Sequence, residues 1–191
     1  MDKNKITDLN HLSFLEINGE GAFDLLQGQI TCDVNKVDSN NSCLGALCNV
    51  KGRIISSFIL CLLEKGSYGL IGHHKTLKKT EEELQKYSPF YEVEIKENLS
   101  FSFFGINKET FENTYNKKIV YPDNTIEIGG STFISYLGKK FLLAFCDKEG
   151  LSEFENLFEL ELGLIDFPLE ARVWGIAYHR WLGIVPDLKG I

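Results

Sequence analysis

Apolar positions in this chain come in short runs punctuated by glycine and asparagine, and their spacing switches between two periods. Leu12-Ser13-Phe14-Leu15-Glu16-Ile17 reads as a strand that ends at Asn18-Gly19. From Gly21 the spacing turns helical, with Ala22, Leu25 and Leu26 on one face; Gln27-Gly28-Gln29 is expected to break that helix. Residues 42–50 and 53–63 predict two strands around a turn at Lys51-Gly52, where Gly52 suits a positive φ, and residues 68–71 predict a further short strand. Residues 74–87 predict a helix with Leu77 and Leu84 on its apolar edge, ended by Ser88-Pro89. Strands are expected over 90–95 and 99–106, and a helix over 108–116.

The same order then repeats. Strands are expected over 126–128, 132–136 and 141–145, joined at Gly129-Gly130 and at Gly138-Lys139-Lys140. Residues 149–162 predict a helix, with Leu151, Phe154, Leu157 and Phe158 at helical spacing. Pro168 suits the first turn of an amphipathic run through Trp181. Strands, helix, strands, helix predicts an α+β fold of two packed strand-rich units, residues 1–98 and 99–191, with the division near 97–107.

Composition narrows the partners. The 191 residues carry a formal net charge of −7, which does not attract nucleic acid or anionic lipid. Asp2-Lys3-Asn4-Lys5 follows Met1 with no apolar stretch behind it, so no secretory leader is expected. The apolar run from Ile54 to Leu63 is broken by Ser56 and Ser57 and is about half the length a membrane helix requires. Cys32, Cys43, Cys48, Cys61 and Cys146 form no Cys-x-x-Cys pair, which suits reduced thiols in a cytoplasmic protein rather than a zinc site.

Chemistry-bearing motifs are few. A nucleophile elbow, a Walker phosphate loop and a Gly-x-Gly-x-x-Gly fingerprint are absent. His73 and His74 stand between a strand and a helix, and adjacent strand residues point opposite ways, so no metal ligands are assigned. His179-Arg180 is expected on a helix as a surface pair. More unusual is Leu26-Gln-Gly-Gln-Ile-Thr-Cys-Asp33, where Thr31 and Asp33 follow the helix in a loop and can either cap it or face a ligand. Next come Asn49, then Lys51-Gly52-Arg53 ahead of the long apolar strand. By chemistry alone this is a polar turn with two cations on a rigid sheet, either a ligand site or an ordinary solvated hairpin.

Taken together, these segments resemble the YgfZ family of folate-binding proteins, related to the T-protein (aminomethyltransferase) of the glycine cleavage system. Residues 26–34 resemble that family's opening motif, and Asn49-Val-Lys-Gly-Arg53 its Lys-Gly turn before a long strand. Leu84-Gln-Lys-Tyr87 with Val93-Glu-Ile95 resembles the helix and strand that follow, and residues 181–186 resemble its Glu-Ala-Gly-x-Pro segment. The similarity is strong over 12–96 and weak over 97–165. It implies a tetrahydrofolate-type pocket and a role in assembling or maintaining iron–sulfur clusters in client proteins. The implied folate-binding residues are Gln27, Gln29, Thr31, Asp33, Asn49, Lys51, Arg53, His73 and Trp181.

The departures from the family pattern bear on catalysis. Where the T-protein carries an aspartate pair that helps activate the folate amine, this chain has Ser56-Ser57, and YgfZ-type members also lack the acid. A hydroxyl ionises far above neutral pH and cannot serve as that base. No catalytic residue is therefore assigned. Trp181 stands where the family has a glutamate that grips the pterin, offering one indole donor and a π-face instead. Lys189-Gly190-Ile191 falls before the family's later Lys-Gly-Cys motif and C-terminal barrel, which are expected to be absent from these residues; either this is a truncated form or the family's working cysteine is missing. The expected function is a folate-binding accessory protein without turnover. Its alternatives are a folate-dependent aminomethyltransferase and an interaction remnant that no longer binds ligand.

Overall fold

The structure is a computed structural model that describes residues 4–120, 124–135 and 140–160. Its element order is β1 (Asn4–Asp8), β2 (Leu12–Asn18), α1 (Ala22–Gln29), a 3-10 turn (Val34–Lys36), β3 (Cys43–Cys48), β4 (Ile54–Glu64), β5 (Ser67–His73), α2 (His74–Leu84) and α3 (Ser88–Tyr91). There follow β6 (Glu94–Glu97), β7 (Ser102–Asn107), α4 (Lys108–Tyr115), β8 (Thr125–Ile128), β9 (Ser131–Ile134), β10 (Phe141–Cys146), α5 (Lys148–Leu157) and β11 (Phe158–Leu160). The strands form two sheets. One is five-stranded and antiparallel, in the order β3-β4-β5-β2-β6; the other is six-stranded, β11-β1-β7-β10-β9-β8, with one parallel pair between β1 and β11. This is the α+β architecture that the order of apolar runs predicts.

Side-chain alternation shows how the layers stack. In β4, Phe58 and Leu60 join the cluster that holds Ala22, Leu25 and Leu26 of α1 and Leu77 and Leu84 of α2. Ile59 and Cys61, on the opposite face, join Phe14 and Ile71 against Phe103, Leu143, Ile134 and Phe145 of the other sheet. The six-stranded sheet repeats the scheme, with Phe104, Ile106, Leu142 and Ala144 packed against Phe111 of α4 and Phe154 of α5. The sheets therefore pack face to face with helices outside both, in four layers. Strands buried on two faces are apolar almost throughout, which is why 58–61 and 141–146 read as continuous runs.

Phe14 is the centre of the inter-sheet layer. Its ring is fully buried, 4.6 Å from Phe101 and 5.7 Å from Phe145. It lies flat over Gly69 of the neighbouring strand, where a Cβ would come within 2.0 Å of its ring. The absent side chain is thus a seat for the ring.

Three expectations and one omission need correction. α1 continues through Gly28 to Gln29, because its buried face of Ala22, Leu25 and Leu26 outweighs the roughly 1 kcal/mol that an interior glycine costs. Residues 88–91 form a short helix with Pro89 in its first turn, and the strand begins at Glu94 rather than at 90. α5 stops at Leu157, and Phe158 leaves it to pair with Asn4 of β1. β1 itself was not anticipated; it belongs to the six-stranded sheet, paired to β7, although it precedes the first strand of the five-stranded one. The expected Gly138-Lys139-Lys140 turn and the amphipathic run from Pro168 to Trp181 lie outside the described residues, the turn except for Lys140.

Gly69→Ala should destabilise the protein by about 1–3 kcal/mol, since the Phe14 ring has no room to yield in a close-packed layer. In a Phe14→Leu background the same substitution should cost clearly less. Chemical denaturation of the four corners of this double-mutant cycle measures the coupling, which additive costs would eliminate.

Candidate functional site

The loop after α1 is built by its own polar side chains. The Ile30 amide donates to the Leu26 carbonyl and closes the helix, and Ile30 then bridges to Leu47 of β3. Thr31 ties the loop to the sheet twice: its amide donates to the Ala46 carbonyl at 3.0 Å, and its Oγ1 accepts from the Ala46 amide at 2.9 Å. Gln27 Oε1 accepts from the Val34 amide at 2.8 Å. Asp33 Oδ1 accepts from the Asn35 amide and side chain at 3.1 and 3.0 Å, capping the 3-10 turn. Those Asn35 hydrogen bonds also hold the Asp33 carboxyl below the usual carboxylate range. Gln29 is half-buried and makes no side-chain hydrogen bond among the described residues.

The β3–β4 turn follows the same logic. Asn49 Oδ1 accepts from the Lys51 and Arg53 amides at 2.9 and 3.0 Å, while the Asn49 backbone exchanges hydrogen bonds with Arg53 and Gly52. Gly52 sits at φ 73°, as the turn requires. Asn49 is thus the organiser of the turn. Val50, Lys51 and Arg53 point to solvent, and neither cation is in an ion pair among the described residues. Just beyond, the register shifts between Leu47 and Cys48, and Ile55 turns toward the helix-side cluster.

Register brings these pieces to one end of the five-stranded sheet. Thr31 is bonded to Ala46, and Ala46 pairs with Ser57. Ile59 pairs with Ile71, where the β4–β5 ladder ends two residues short of His73, and His73 itself pairs with Leu12. The Asn49–Arg53 turn projects beyond that row by three residues of β3, roughly 10 Å. Gln27, Gln29, Thr31, Asp33, Asn49, Lys51, Arg53 and His73 therefore share one end of the sheet. Trp181 and the His179-Arg180 pair lie outside the described residues.

The serines at the place of the T-protein acids face opposite ways. Ser56 is buried, its hydroxyl hydrogen-bonded to Thr80 of α2, which donates in turn to the Thr76 carbonyl. Ser57 falls on the inter-sheet face with Ile59 and Cys61. Two residues of this region carry no sequence signal. Thr80 sits on the buried face of a helix, and His11 is brought to His73 only by the β2–β5 pairing, with ring centroids 5.8 Å apart. Among the described residues no group of three or more His, Cys, Asp or Glu is arranged to hold a metal. Burial pushes the Cys61 thiol up to about 12 and Cys146 to about 11, so both stay protonated and act as packing groups. No helix among the described residues is long and apolar enough to cross a membrane.

Comparison with known proteins places this end of the sheet in a context. No protein-family model matches the chain. Over 140 residues it is 27% identical to the tRNA-modifying protein YgfZ of Colwellia psychrerythraea, covering 71% of this chain and 43% of that protein. It is 33% identical over 102 residues to the YgfZ of Buchnera aphidicola subsp. Baizongia pistaciae, covering 53% of this chain and 32% of the relative. The Hamiltonella defensa YgfZ is 37% identical over 98 residues, 51% of this chain and 29% of the relative. The matched regions thus span less than half the length of these curated relatives. Among solved structures, the glycine cleavage system aminomethyltransferase T from Bartonella henselae superposes with a TM-score of 0.64 at 15% identity, covering 83% of this chain and 47% of that one. The chain is YgfZ-like in sequence and has a T-protein-like fold.

Because Thr31 closes the loop onto β3, Thr31→Val should cost about 1–2 kcal/mol of stability. Lys51→Ala and Arg53→Ala, which remove solvent-facing groups, should each stay within about 0.5 kcal/mol of the parent. Urea denaturation of the three variants separates the groups that build the site from those it leaves available.

Proposed function

We propose that this chain is a YgfZ-like folate-binding accessory protein that supports iron–sulfur cluster assembly or maintenance in client proteins without turnover of its own. The observation that carries the reading is the likeness to several YgfZ proteins combined with a T-protein-like fold. In this reading tetrahydrofolate lies at the β3–β4–β5 end of the five-stranded sheet. Gln29, with no side-chain partner among the described residues, offers both a donor and an acceptor to the polar pterin edge. Lys51 and Arg53 meet the glutamate carboxylates, whose negative charge seeks such cations. Gln27, Thr31, Asp33 and Asn49 act indirectly by fixing the loop and turn.

The hydroxyls support a reading without turnover. Aminomethyl transfer calls for a carboxylate beside the folate amine, and Ser56 is bound to Thr80 inside the helix–sheet interface. The relatives are named tRNA-modifying, yet a net charge of −7 does not draw in a polyanion. In this reading the link to tRNA runs through client proteins rather than through direct contact.

Isothermal titration with tetrahydrofolate should give a saturable heat. The Lys51→Ala/Arg53→Ala double variant should bind about 3- to 30-fold more weakly, with a shallower dependence on salt, because two screened charge contacts are gone. No heat up to millimolar ligand would exclude the folate site. Release of 5,10-methylenetetrahydrofolate from an aminomethyl donor would instead establish transferase turnover.

A further inference from the structure

Three imidazoles meet where β5 passes into α2. His73 and His74 are stacked with ring centroids 4.6 Å apart, and His11 stands 5.8 Å from His73. They do different work. His74 points its Nδ1 at the His11 carbonyl at 3.0 Å, and its backbone amide donates to the same oxygen at 3.1 Å. Protonation leaves that donor in place, since an imidazolium carries a proton on both nitrogens. His73 is the opposite case. As the N-cap of α2, its Nδ1 accepts from the Lys75 amide at 3.2 Å, which only a neutral ring with a bare Nδ1 can do.

The surroundings leave this cap with little support. The first turn of α2 holds no acidic residue, and Lys75, Lys78 and Lys79 place positive charge near the end of the helix dipole that disfavours it. Facing His73 are His74 and Lys75 from α2 and His11 from the segment ahead of β2. Asp8, at the end of β1, acts on His11 and not on His73. Burial followed by repulsion from His74, His11 and Lys75 lowers the His73 pKa from 6.5, and burial with repulsion from His74 lowers that of His11.

We infer that His73 is a proton-sensitive latch on the Lys75 amide: neutral, it accepts from that amide and caps α2; protonated, it turns from acceptor to donor and leaves the amide uncapped, while the His74 bonds to the His11 carbonyl and the Thr76 bond to the His73 carbonyl stay in place. The sign follows from linkage. With the folded-state pKa lowered, the folded protein binds fewer protons than the unfolded one. The cap's stability is complete above the ordinary value of 6.5 and is lost as pH falls below it. The inference concerns the unliganded chain and stands apart from the folate reading.

Thermal unfolding of the full chain between pH 5 and 8 tests it with two variants. His73→Asn retains a capping oxygen that does not titrate, whereas His73→Ala has no cap. At pH 8 the parent should match His73→Asn and melt about 2–4 °C above His73→Ala. At pH 5 the parent should fall to the level of His73→Ala while His73→Asn stays above both. Amide exchange at Lys75 should accelerate over the same range in the parent and not in His73→Asn. A parent that stays parallel to His73→Asn from pH 8 to 5 would overturn the latch, as would a parent matching His73→Ala already at pH 8.

Discussion

The contact of the Phe14 ring with Gly69 is the constraint on which the rest of the architecture hangs. A four-layer stack must join its two sheets across a dry interface, and here that interface is an aromatic cluster of Phe14, Phe101, Phe103 and Phe145. Phe14 reaches it only because position 69 offers no Cβ. Beside this cluster a backbone hydrogen bond extends the ladder within each sheet, from the Leu9 amide to the Phe103 carbonyl in one and from the Asn98 amide to the Phe14 carbonyl in the other. With the sheets locked together, the outer faces are free to receive α1 and α2 on one side and α4 and α5 on the other. The site end of the five-stranded sheet is consequently a rigid edge, to which the loop after α1 and the β3–β4 turn are attached.

That rigidity changes the meaning of the polar motif. In the sequence, Gln27, Thr31, Asp33 and Asn49 look like ligand groups because they are polar, clustered and flanked by apolar strands. In the structure each accepts a hydrogen bond from a nearby backbone amide. A side chain spent in this way cannot change partners without exposing an amide, at a cost of about 1–3 kcal/mol. Lys51, Arg53 and Gln29 are different: no side-chain hydrogen bond or ion pair ties them to another described residue. A motif can thus belong to a binding site while most of its members do construction.

Legibility in the sequence followed locality. The helix from His74 was visible because Leu77 and Leu84 mark one face, and the β3–β4 turn because Asn49 and Gly52 have local conformational roles. β1 and β11 were hidden for the opposite reason. Each is short, and each is defined by a partner more than 90 residues away along the chain, as Ile6 is by Ile106 and Phe158 is by Asn4. α3 was misread because Phe90 is a strand-forming residue type, whereas its backbone follows Pro89 into a helical turn and its side chain is 80% exposed. Within the site the limit was the same. Ser56 and Thr80 are 24 residues apart, and nothing in either segment announces that their hydroxyls meet.

That hydroxyl pair bears on how a T-protein-like fold relates to an accessory role. A carboxylate at position 56 would face the buried Thr80 rather than solvent or ligand, and burying an ionised group without a cationic partner costs several kcal/mol. The strand phase puts position 57 on the other face of β4, the inter-sheet side. Position 57 holds a serine, half-buried, within a sheet whose other inward residues, Ile59 and Cys61, are apolar packing groups. What the scaffold retains at the site end is charge at Lys51 and Arg53, hydrogen-bonding capacity at Gln29, and an imidazole at His73 whose protonation state is tied to a helix cap. In the folate reading proposed above, these are the groups that meet an anionic, hydrogen-bonding ligand.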